Sequence, residues 1–126
     1  RYQPLQSARE IRLLQLLSTE DKTSPVQCRW HTVTLQAREH QYEALSYCWG
    51  SSHETQKVYT DTGFVRVNKN LHTALRDLRN TGSERFLWAD AICINQADIQ
   101  ERNHQVSLMK SIYSSAARVI VWLGEA

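Results

Sequence analysis

Glycine and proline are scarce in this chain, four and two among 126 residues, and each glycine stands alone. That pattern excludes a glycine-rich phosphate loop and a low-complexity linker. Cysteine is also rare: Cys28, Cys48 and Cys93 are odd in number, isolated, and set within strand-like runs. Such a set excludes a disulfide framework and reads as reduced, buried thiols of a cytoplasmic protein. Neither sign of charge dominates, with 15 basic and 13 acidic residues giving a net +2 and no basic block. Nucleic acid and anionic membranes are therefore disfavoured as partners. No apolar run approaches the about 20 residues of a membrane-spanning helix, and no signal-peptide pattern opens the chain. The five histidines show neither an i,i+4 pair nor a cysteine at zinc-site spacing, so no metal is expected. Ser46 lacks the flanking glycines of a nucleophile elbow. The chain opens at Arg1 without methionine and closes just after an apolar run, so residues 1–126 are expected to be a single domain cut from a longer protein at both ends.

What remains is patterned for an α/β domain. At 41% hydrophobic and 22% charged, the chain can bury roughly two thirds of its unfolded surface. Residues 10–17 and 26–35 read as strands around a polar turn at 18–25. Residues 42–50 make a short apolar strand ended by Gly50, with a surface loop at 51–55. Residues 58–60 and 64–67 form a hairpin about Asp61-Thr-Gly63. A helix over 68–80 buries Leu71, Ala74, Leu75 and Leu78, with Asn68 or Asn70 as cap and Gly82 as stop. Residues 86–94 read as one continuous buried strand with Asp90 in its middle, and residues 119–124 as another. Between them, the helical segment 98–117 places Ile99, Val106, Met109, Tyr113 and Ala116 on one face. The order strand, helix, strand, helix, strand from residue 42 onward predicts a parallel sheet decorated by the hairpin.

Polar residues within these apolar runs carry the functional reading. Asp90 needs a partner inside a strand, and Arg102 falls within the apolar stripe of the following helix, so the two are expected to be buried and paired. Arg102 binding an anionic ligand is the competing reading. Asp98 and Glu101 have the spacing of a capping box. Asn95 and Gln96 either turn the chain or offer amides to a ligand at the carboxyl edge of the sheet, where such folds bind ligands. Trp49 is either a core indole or a stacking surface for a planar group. Cys48 and Cys93, inside apolar strands, read as inert packing rather than nucleophiles.

The same residues resemble the fungal heterokaryon incompatibility (HET) domain family. The match runs through Ile11-Arg-Leu-Leu14, Tyr42-Glu-Ala-Leu-Ser-Tyr-Cys-Trp-Gly50 and Asn70-Leu-His-Thr-Ala-Leu75. It continues through Leu87-Trp88, Asp90-Ala91, Cys93-Ile-Asn-Gln96, Glu101-Arg102, Gln105-Val106, Met109, Ile112-Tyr113 and the 119–124 block, with Ala89 and Ile92 as departures. The resemblance implies a self/non-self recognition module that triggers programmed cell death, with fused domains or homotypic copies as partners. It further implies a TIR-like, flavodoxin-like parallel core with accessory N-terminal strands and a hairpin. Some TIR relatives cleave NAD with a glutamate after the third strand. The corresponding residue here would fall beyond Ala126, since Glu125 sits too close to the strand, so no catalytic residue is assigned. On the enzyme reading, Ser46, Trp49, Gly50, Asp90, Asn95, Gln96 and Arg102 line a nucleotide pocket, with NAD as substrate and no cofactor required. The alternative is a non-catalytic adaptor that signals by homotypic assembly.

Overall fold

The computed structural model describes residues 4–5, 8–19, 21, 23–35, 41–47, 54–79 and 83–122. Its elements in chain order are β1 (Glu10–Leu16), β2 (Cys28–Thr34), β3 (Glu43–Tyr47), β4 (Thr55–Thr60), β5 (Gly63–Asn68), α1 (Lys69–Leu78), β6 (Arg85–Trp88), α2 (Asp90–Cys93), α3 (Ile99–Ser115) and β7 (Arg118–Trp122). They form a mixed α/β fold with one five-stranded and one two-stranded sheet.

The larger sheet runs β2-β1-β6-β3-β7. β3 lies between β6 and β7 and is parallel to both, in line with the parallel sheet expected from residue 42 onward. β1 and β2 extend that parallel core by antiparallel pairing. β1 is buried on both faces, which explains its unbroken apolar run. Ala44 pairs with Trp88 and Tyr47 with Trp122, and side-chain alternation along β3 sends these two pairs to opposite faces of the sheet. On the first face Trp88 meets Tyr113 of α3 edge-on at 5.6 Å. On the second, the Trp122 indole donates to Asp77 of α1 and Arg85 donates to the Leu78 carbonyl. The helices thus sandwich the parallel core.

α1 starts where the Asn68 side chain accepts from the Asn70 amide, and it buries Leu71, Ala74 and Leu75 against β3, β4 and β5. Its predicted stop, Gly82, lies outside the described residues. The β4/β5 hairpin turns at Asp61-Thr62, with Gly63 at φ +136°, a conformation L side chains rarely adopt. Its first strand begins at Thr55, a residue expected in the preceding loop.

Two expectations fail in an informative way. The apolar run at 86–94 is not one strand: β6 ends at Trp88, Ala89 stays extended, and a single helical turn follows from Asp90, closed by the Cys93 amide donating to the Ala89 carbonyl. Both pieces are buried, so continuous hydrophobicity could not separate them. The stripe on α3 is also out of phase. Ile99 is 61% and Val106 55% exposed, while Gln105 and Ile112 are fully buried and Glu101, Leu108, Met109 and Tyr113 partly so. Polar Glu101 and Gln105 occupy the inward face because each has a partner on β1, the buried Arg12 side chain and the Glu10 carbonyl.

Candidate functional site

The carboxyl ends of β3 and β6 point the same way, since the strands are parallel. Ser46, half-buried near the end of β3, shares a sheet face with Ala44 and Val121. Tyr47 closes the strand and is buried. Trp49 and Gly50, expected next at this strand end, lie outside the described residues. Asp90 opens α2 one residue beyond β6 and is half-buried.

Three side chains respond to the Asp90 charge. Burial pushes the Tyr47 phenol up to about 12, with the Asp90 carboxylate adding to the rise. The Tyr113 phenol of α3 is raised by the same two causes in the same order. Burial likewise holds the Cys93 thiol at about 12 despite a hydrogen bond from the Ala89 amide and the field of Arg12. Cys93 therefore stays a packed thiol, as read from its strand-like context, and Cys28 is buried and free too. Cys48 lies outside the described residues. Neither described thiol, Cys28 or Cys93, is held as a thiolate that could act as a nucleophile.

The loop from α2 to α3 completes this edge. The Gln96 amide nitrogen donates to the Asp90 carbonyl at 2.8 Å, and the Asn95 side-chain oxygen accepts from the Ala97 amide at 3.3 Å. Both amides thus turn the chain, Asn95 half-buried and Gln96 exposed in this loop.

Arg102 does not join this cluster. It stands exposed on the outer face of α3, so the expected buried pair with Asp90 does not form. The buried guanidinium is that of Arg12, 2% exposed in the middle of β1. It makes a two-pronged bond with Glu101, Nη1 to Oε2 at 2.5 Å and Nη2 to Oε1 at 2.7 Å, and Nη1 also donates to the Cys93 carbonyl at 3.3 Å. Glu101 accepts further from the Asn95 backbone amide at 2.7 Å. The capping box is accordingly half realised. Asp98 accepts from the Glu101 amide at 3.1 Å, but the Glu101 carboxylate turns to Arg12 and Asn95. One carboxylate thereby ties β1, the site loop and the first turn of α3 together. A charge inside the apolar run Ile11-Arg-Leu-Leu14 was a signal of the same kind as Asp90. Tyr113, which reads as part of an apolar helix stripe, gave no such signal.

The family model for heterokaryon incompatibility protein (HET) matches residues 42–126. Over 92% of its length the chain is 40% identical to "Heterokaryon incompatibility protein 6, OR allele" of Neurospora crassa. It spans 19% of that relative's length. No solved structure matches the chain.

Proposed function

Because the chain belongs to the heterokaryon incompatibility family, we propose that it is a fungal self/non-self recognition module that triggers programmed cell death through the carboxyl-edge cleft. The observation that carries this is that Asp90, Asn95 and Gln96 stand together in the segment leaving the carboxyl end of β6, beside the parallel strand β3, with the Gln96 amide bonded to the Asp90 carbonyl. Loops leaving those ends converge on a ligand in folds of this kind. The set suits the hydroxyls and amides of a nucleotide, and NAD consumed in the cytoplasm by the intact parent protein is the reaction we favour. The strand order β6-β3-β7, second-first-third among parallel strands, supports the TIR-like and flavodoxin-like reading. Ser46 stands near the end of β3 on this edge, and the sequence reading adds Trp49 and Gly50, which lie outside the described residues. Arg102 is withdrawn from it.

A second reading, assembly of a non-catalytic adaptor, is favoured by β7. This is the outermost strand of the sheet, with Val119 46% and Val121 61% exposed on one face. The test is expression of the full parent protein in a fungal host with viability and NAD followed together. On the cleft reading NAD falls before viability, and Asp90→Asn or Gln96→Ala abolishes both changes while thermal stability holds. Death at constant NAD, silenced by Val121→Asp and untouched by Asp90→Asn, refutes the cleft reading in favour of assembly.

A further inference from the structure

Away from that cleft, the β4/β5 hairpin carries charges that its pairing does not need. Lys57 and Arg66 stand directly opposite each other across the two strands, and both are exposed. Like charges in that register oppose strand pairing. No described carboxylate forms an ion pair with either, and the cations instead gather at one ring. Lys57 Nζ lies 4.6 Å and Arg66 Cζ 5.9 Å from the centre of Phe64.

Beside them is a depression of about 380 Å³, within the range of roughly 300–1,000 Å³ that holds small ligands. Lys57, Arg66 and His72 line it, together with Thr55, Gln56 and Tyr59, and no acidic side chain among the described residues does. Its setting is positive as well. Burial, then Arg76 and Arg79, depress the His72 imidazole below its ordinary value. The nearest acids in sequence are engaged elsewhere, Glu54 with Lys69 at 3.7 Å and Asp61 with the Trp30 amide at 3.3 Å. The first turn of α1, which contributes His72, holds no acidic residue either.

We propose that this depression is an anion site for a small phosphorylated ligand. Lys57 and Arg66 hold the phosphates, His72, Thr55 and Gln56 supply hydrogen bonds, and Tyr59 flanks any planar group attached to them. An anion placed there neutralises the opposed pair and so removes the repulsion that the empty hairpin bears. A nucleotide and a bare phosphate chain share this chemistry, so both serve as probes.

Calorimetric titration of the chain at low ionic strength with tripolyphosphate and with ATP tests the site. Both probes should bind, and Lys57→Gln or Arg66→Gln should each weaken binding about 10-fold, the value of one charge-assisted hydrogen bond. Lys69→Gln, at a cation already paired on an exposed rim, should change affinity less than about 2-fold. All three positions are exposed, and unchanged thermal unfolding of each variant shows that the fold is intact. Tighter ATP than tripolyphosphate identifies a nucleotide and equal affinity a phosphate chain, and either supports the site. No binding by the parent chain, or equal losses for the Lys57, Arg66 and Lys69 variants, overturns it.

Discussion

Removing Glu101 should be among the most costly single substitutions in this chain. Its side chain is 9% exposed and that of Arg12 3%, and the carboxylate accepts three hydrogen bonds, two from Arg12 and one from the Asn95 amide. Glu101→Gln keeps the shape but leaves a buried guanidinium facing a neutral amide. Stranding one member of a buried ion pair costs about 3–5 kcal/mol. Against a total stability of roughly 5–15 kcal/mol, that loss approaches unfolding for a marginal domain. Arg12→Met should cost a similar amount by stranding the carboxylate. The double substitution Arg12→Met with Glu101→Leu should recover much of it, because apolar side chains of similar volume then fill the same space. Urea unfolding of the four proteins, read by tryptophan fluorescence, completes the cycle. A coupling below about 1 kcal/mol, the range of exposed pairs, would refute the reasoning. Arg102→Ala serves as internal contrast. Its exposure predicts a change within about 0.5 kcal/mol.

Two further outcomes follow from the ionisable groups. Burial works to raise the Glu43 carboxyl, but hydrogen bonds from Arg85 and Arg118 outweigh it and hold the group below its ordinary value of 4.5. A carboxyl depressed on folding contributes stability above its unfolded pKa and loses it as pH falls through the folded one. The acid limb of a melting-temperature profile should therefore steepen below 4.5 and flatten in Glu43→Gln. Cys93 and Cys28 should resist iodoacetamide at neutral pH in the native state, since burial raises both thiols, and should label fully in urea. Mass spectrometry that finds Cys93 alkylated in the folded protein would show that its strand-to-helix junction opens.

Much of the fold was legible because its core obeys simple periods. The apolar runs at β1, β3 and β7, the hairpin turn with Gly63, and the Leu71-Ala74-Leu75 stripe each follow from one face or two faces being covered. The alternation of strands and helices gave the parallel triplet and the place of β3 within it. The site was less legible because its chemistry sits where those periods break. A buried strand and a buried helical turn share one composition, which hid the junction at Ala89 and put Asp90 in the wrong element. On α3 the inward face is marked by Glu101 and Gln105, whose partners lie 89 and 95 residues away. Local hydrophobicity carries no record of such partners, so Ile99 and Val106 drew the stripe to the solvent side and Arg102 with it. Asn95 and Gln96 do turn the chain after the apolar run, one of the two readings open for them, but that run ends in the helical turn α2 and not in a strand.

The mixed sheet also orders events in time. β4 and β5 are joined by two residues and β1 and β2 by eleven, so both antiparallel pairs form from nearby chain. The parallel contacts do not: Arg118 grips Glu43 from 75 residues further on. At a synthesis rate of roughly 5–20 residues per second, β3 emerges about 4–15 s before the strand that flanks it. Ala44 and Leu45, sealed from water in the finished sheet, wait through that interval with one side uncovered. Trp88 and Tyr113 meet only once α3 has packed on the sheet. A nascent chain thus carries the hairpins long before it carries the cleft, and whatever the cleft does begins in a single late step of assembly.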